Sequence, residues 1–221
     1  MVVLLVVTFF LTFAVIQFLI SRSAKPAGES AGTAPPRPPH RLPLVVGGFK
    51  LAENVLYHPG HTWAISESPQ LVRVGIDDFA AHLVGKPDSV KLPVPGTWIR
   101  QGQPAVTVER AGRKVMLVSP IEGTVVDVNS TLQSDPSLLV KDPYADGWVM
   151  TVQAPDATTS FRNLIGGALA RRWMEDAASS LRMLMRMPSG ALAQDGGLAI
   201  DDLTPYLTKD WDKIAREFFL T

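Results

Sequence analysis

From residue 44 to residue 154 the chain is a succession of short β-branched runs cut by glycine and proline, and this texture limits the fold more than any other feature. The stretches LVRVGI (71–76), SVKLPV (89–94), AVTVE (105–109), KVMLVSP (114–120), GTVVDVN (123–129) and WVMTVQ (148–153) are mostly too short for helices, and turn residues separate them. They predict a mainly β domain over residues 44–156, a small barrel or sandwich. One insert differs. IDDFAAHLVG (76–85) has helical spacing at Phe79, Leu83 and Val84, with Asp77 or Asp78 able to cap its start and Gly85 able to stop it.

The flanks are of another kind. Residues 2–20 carry no charge, and only Thr8, Thr12 and Gln17 are polar. Nineteen such residues would span roughly 28 Å as a helix, about the hydrocarbon thickness of a bilayer, so the run predicts a transmembrane helix over residues 1–20. Arg22, Lys25, Arg37 and Arg41 all follow it, and the positive-inside bias then places the rest of the chain in the cytoplasm. The expectation is a single-pass protein of the inner (cytoplasmic) membrane with the bilayer as one partner. Residues 21–43, rich in Pro, Ala, Gly and Ser and including PPRPP at 35–39, read as a semi-stiff linker.

Composition excludes several functions. Twenty-one basic and 21 acidic residues balance, which leaves no field to attract nucleic acid. No cysteine is present, so thiolate chemistry and cysteine-ligated metals are out. His58 and His61 in HPGH invite a metal reading, but the spacing is neither helical nor zinc-finger-like, and a structural role is the better expectation. The carboxylate pairs Asp77–Asp78 and Asp201–Asp202 stand where helices begin and read as caps rather than as acid-base machinery. No nucleophile motif or phosphate-cradling loop occurs. The chain therefore reads as no enzyme, with no catalytic residues, no metal, no cofactor and no evident small-molecule substrate.

Residues 157–221 predict a helical extension. A stripe through Phe161, Leu164, Ile165, Ala168 and Leu169, continued by Trp173, Leu181, Leu184 and Met185, suggests a helix over 160–188 capped by Ser160 and ended by Pro188. Its second half, LRMLMRM, is a flexible apolar surface with basic edges, and Met183, Leu184 and Met187 are expected to touch a partner. A second helix from about Thr208 carries Trp211, Ile214, Ala215, Phe218 and Phe219 on one face. Trp211, Phe218 and Phe219 are likewise expected as partner contacts, since such a face must dock somewhere.

Six fragments in order, HTW (61–63), VGIDDFAAHLVG (74–85), LPVPG (92–96), Val108–Glu109, SPIEGTVVDVN (119–129) and DPSLLVKDPYADGW (135–148), give the chain a resemblance to the glycine cleavage system H protein. That family is a lipoyl carrier of hybrid barrel-sandwich fold, so the resemblance implies a barrel-sandwich hybrid with Tyr144 and Trp148 roofing its open end. It also implies a hairpin that displays a lipoyl-lysine three residues after Glu109. That position here is Gly112. The family's carrier chemistry is then expected to be absent, with Lys114 as an alternative attachment point two residues away. The function expected is a non-lipoylated structural or docking subunit on the cytoplasmic face of a larger membrane complex, respiratory or photosynthetic, among other membrane-protein subunits. The alternative is a carrier of aminomethyl groups or electrons, lipoylated at Lys114, in a membrane-associated system.

Overall fold

A computed structural model describes residues 44–185, Leu203 and residues 211–220. The described residues begin with a hairpin, β1 (Leu44–Val46) and β2 (Phe49–Leu51), turning on Gly47 and Gly48. Next come β3 (Leu56–His58), β4 (Thr62–Ser66) and β5 (Leu71–Ile76), then helix α1 (Asp78–Val84) and β6 (Ser89–Lys91). β7 (Trp98–Ile99), β8 (Pro104–Arg110), β9 (Arg113–Val118) and β10 (Gly123–Val128) follow. Two single-turn helices, α2 (Thr131–Ser134) and α3 (Leu138–Lys141), lead into β11 (Met150–Gln153). The described elements end with α4 (Ala157–Arg162), α5 (Gly167–Leu184) and α6 (Trp211–Phe219).

Apart from the two-stranded β1–β2 sheet, the strands form a six-stranded antiparallel sheet ordered β3-β4-β5-β11-β10-β7 and a three-stranded sheet ordered β6-β8-β9. Between them lies one apolar core built from Val72, Val74, Ile76, Val106, Leu117, Ile121 and their neighbours. This is the mainly β domain that the short runs predict. The helix expected at 76–85 is α1: Asp77 caps it by accepting the Ala80 N–H at 2.8 Å, and Gly85 ends it at φ +59°.

β3, β4 and β7 carry no clear sequence signal. In β4, Thr62, Trp63 and Ala64 are all buried, so covering both faces of the strand erases the period-two alternation. Trp63 sits opposite Gly75 in the β4–β5 ladder, and its indole N–H donates to the Pro143 carbonyl at 3.1 Å. A Cβ on Gly75 would stand 2.4 Å from the indole Cζ2. The glycine is there because the ring lies flat against its backbone.

Two expectations need correction. The single helix over 160–188 is broken into α4 and α5. Asp156, not Ser160, caps α4 by accepting the Thr159 N–H at 3.2 Å. Between the two helices Ile165 exchanges backbone hydrogen bonds with Tyr57 at 2.8 and 2.7 Å, which takes the chain out of helical conformation. The buried stripe of α5 is consequently Ala170, Met174, Ala177, Ala178 and Leu181, whereas Ala168 and Leu169 face outward. The inner-membrane localisation is the second correction. Among the described residues no helix is long and apolar enough to cross a membrane, and the longest, α5, carries Arg171, Arg172, Glu175, Asp176 and Arg182 along its exposed side. The run 2–20 and the linker 21–43, on which that expectation stood, lie outside the described residues.

Candidate functional site: the hairpin tip and the buried histidine behind it

The β8–β9 register closes on Arg110 opposite Arg113, which leaves Ala111 and Gly112 as a two-residue turn. Their φ values of +47° and +75° are both left-handed, the conformation that lets a tight hairpin follow the twist of its strands. The Asp88 carboxylate fixes the turn by accepting the Ala111 N–H at 2.7 Å. Gly112 projects into solvent, and a Cβ added there meets nothing within 4 Å. The tip therefore presents backbone.

Lys114 is the one lysine between residues 109 and 120. It lies in β9 directly opposite Glu109, with Nζ 3.4 Å from Glu109 Oε1, the same oxygen that receives Lys91 Nζ at 2.8 Å. The hydrogen bond from Lys91, reinforced by the charges of Lys91 and Lys114, holds the Glu109 carboxyl below its ordinary range. The Arg113 guanidinium lies 5.5 Å from the Trp211 ring centroid, so the first residue of α6 stacks beside the tip. Arg110 points the other way and donates to the Val84 carbonyl at 3.1 Å.

Behind β9 the HPGH turn folds inward. His58 Nδ1 accepts the Gly60 N–H at 3.0 Å, and burial lowers the ring's pKa from the ordinary value of 6.5. His61 is fully buried at φ +58°, its Nδ1 is 2.8 Å from Asp77 Oδ2, and its ring stacks on Phe79 at 4.2 Å and on Trp173 at 4.7 Å. Both histidines thus have structural partners in the chain itself. Asp78 accepts the Lys50 N–H at 2.8 Å, and burial raises its carboxyl above the usual range. Tyr144 ties these pieces together: its hydroxyl accepts from the Asp78 N–H at 3.2 Å and donates to the Lys50 carbonyl at 2.8 Å. Its ring packs against Tyr57 and Trp63, while Trp148 lies under the Arg73 guanidinium.

The residues expected to touch partners are distributed differently. Met183 is 74% exposed on α5, and Leu184 is half-buried against the core. Met187 lies outside the described residues. Phe218 and Phe219 are buried in the chain's own core, so the aromatic face of α6 is already covered in cis. Tyr57 and Trp173, which complete the packing around His61 and Tyr144, lack a motif that would single them out.

A β domain of two unequal sheets that projects a two-residue hairpin tip defines the class. The description "Glycine cleavage H-protein" is that of the family whose model matches residues 55–177, and the chain belongs to this family. It is 32% identical over 130 residues to the probable glycine cleavage system H protein 2 of Sulfurisphaera tokodaii, a match covering 57% of this chain and 86% of that protein. It is 40% identical over 96 residues to the glycine cleavage system H protein of Xanthomonas euvesicatoria, covering 43% of this chain and 73% of the relative. A crystal structure of a glycine cleavage system H protein from Mycobacterium marinum superposes with a TM-score of 0.48 at 26% identity, covering 57% of this chain and 98% of the other. H proteins are normally non-catalytic lipoyl carriers, which agrees with the expectation of no enzyme activity. They also bear on the expected membrane-anchored role, for which neither these relatives nor any described helix gives support.

Proposed function

We propose that this chain is an H-protein-family domain that carries no lipoyl group and serves as a rigid docking block within a larger assembly. The observation that supports the reading is the Ala111–Gly112 turn: the hairpin tip presents no amine, and lipoic acid needs one to form its amide. Lys114 is a poor substitute. It sits on a paired strand rather than at the tip, and its ammonium is held against Glu109. The exposed Met183 on α5 suits the docking reading, because a polarizable side chain adapts to an apolar partner surface.

Co-expression with a lipoyl-attaching enzyme followed by intact-mass measurement tests the reading. An unmodified chain is the expected result. An adduct on Lys114 would instead establish the carrier alternative. Native purification provides the complementary arm, in which the chain should come down with partner subunits in fixed stoichiometry, and recovery as a lone monomer counts against docking.

A further inference from the structure

The turn between β3 and β4 is spelled HPGH, and its first and last residues hold each other in place. The His61 N–H donates to the His58 carbonyl at 3.0 Å, and the Gly60 N–H donates to Nδ1 of the His58 imidazole, also at 3.0 Å. A ring nitrogen that accepts a hydrogen bond is the unprotonated one, so the neutral ring carries its proton on Nε2 and Nδ1 is its basic atom. An incoming proton and the Gly60 N–H therefore compete for one lone pair. The turn has little freedom to adjust around a lost bond. Gly60 is packed so closely that a Cβ on it would stand 2.6 Å from Val118 Cγ2 and 3.6 Å from the Phe219 carbonyl oxygen. His61, next in the chain, is held at φ +58°, a left-handed conformation that a residue with a side chain keeps only where its surroundings impose it. The same residue anchors α1. Its carbonyl accepts the Asp77 N–H at 3.1 Å, its Nδ1 lies 2.8 Å from Asp77 Oδ2, and the other Asp77 oxygen caps the helix through the Ala80 N–H. His61 and Asp77 thus stand in series between the half-buried His58 ring and a helix N-terminus.

We propose that the HPGH turn is an acid-sensitive latch on α1: protonation of His58 at Nδ1 ejects the Gly60 N–H, the turn opens, and His61 lets go of the α1 cap while the sheets stay folded. The proton comes from solvent, and no other covalent bond changes. The two states are a closed turn with a neutral ring and an open turn with an imidazolium. Burial, and after it the neighbouring His61, lower the His58 pKa from 6.5 in the closed turn, whereas the ring regains an ordinary environment when the turn opens. Opening is therefore favoured progressively as pH falls below 6.5 and is suppressed above it. Of the other groups at the turn, Asp77 is engaged by His61, and β9 and α6 meet it through the Val118 methyl and the Phe219 carbonyl.

Amide hydrogen exchange of the full chain, followed residue by residue and corrected for intrinsic rates, tests the latch. Protection at Gly60, His61, Asp77 and Ala80 should fall about fivefold or more from about pH 7 to about pH 5 while that of β5 and β11 holds. His58→Asn, which keeps an acceptor and cannot titrate, should abolish that fall. Protection that holds at the four amides, an equal fall in β5 and β11, or the same fall in His58→Asn overturns the proposal. Should His58→Asn fail to fold, the imidazole nitrogen-15 shifts of the unaltered chain decide. Nδ1 of His58 taking up its proton over the same pH range in which Gly60 loses protection upholds the latch. A ring that takes up the proton while Gly60 stays protected, or that stays neutral while Gly60 loses protection, overturns it.

Discussion

Lys114 stands directly across the hairpin from Glu109, its Nζ 3.4 Å from Glu109 Oε1, and this pairing draws the one amine of the hairpin back along the strand and away from the tip. Moving an amine to the tip should restore what the pairing withholds. Gly112→Lys faces open space at Cβ and the left-handed φ of +75°, a cost of about 1–2 kcal/mol for a non-glycine residue. The hairpin should tolerate it. Co-expressed with a lipoyl-attaching enzyme, the variant should show a lipoyl adduct by intact mass where the unaltered chain and Lys114→Arg show none. An unmodified Gly112→Lys would mean that an amine at the tip is not enough for the attaching enzyme to recognise this hairpin.

Trp63 and Gly75 leave no room between them. Gly75→Ala places a methyl 2.4 Å from the indole Cζ2, and the ring is locked by its hydrogen bond to Pro143, so it cannot swing aside without losing that bond. Overpacking of this kind costs about 1–3 kcal/mol. A lower urea midpoint at unchanged slope is the expected measurement.

The Tyr144 hydroxyl serves the Asp78 N–H and the Lys50 carbonyl at once. Tyr144→Phe keeps the ring and removes both partners, leaving two largely buried backbone groups unsatisfied. The expected loss is about 1–3 kcal/mol, read from denaturant unfolding. A variant as stable as the parent would show that water reaches this end of the barrel.

His58 makes stability depend on pH. Burial, followed by the nearby His61, lowers its folded pKa beneath the ordinary 6.5, and its neutral Nδ1 is needed to accept the Gly60 N–H. Below pH 6.5 the unfolded chain binds the proton first, so this contribution is complete above that value and is lost as pH falls toward the folded pKa. His58→Asn, which keeps an acceptor and cannot titrate, should flatten the decline in unfolding free energy between about pH 7 and pH 5 relative to the parent. An unchanged slope would assign the decline to other groups.

Much of the fold is legible in the sequence because its signals are local. The cap at Asp77 or Asp78 and the stop at Gly85 each depend on residues within a few positions, and the structure realises both, with Asp77 as the cap. The strands β5, β8, β9, β10 and β11 are visible for the same reason, as β-branched runs between turns. β4 is not, because burial on both faces hides its period. The break between α4 and α5 is hidden by the apolar stripe, which continues across it: the hydrogen bonds between Ile165 and Tyr57, more than a hundred residues apart in the chain, interrupt the helix together with extended Gly166 and Gly167 at φ +56°.

The sequence by itself determined that its short β-branched runs would build a mainly β domain and that the residue three beyond Glu109 offers no amine, since chain texture and residue identity need no partner to be read. Tertiary structure alone decided that His61 is stacked between Phe79 and Trp173, and that Phe218 and Phe219 face this chain's own core. An apolar face states that it must be covered, because exposing it to water is costly. What covers it is settled by which surface lies within reach once the sheets have packed, and for α6 that surface was the flank of β9.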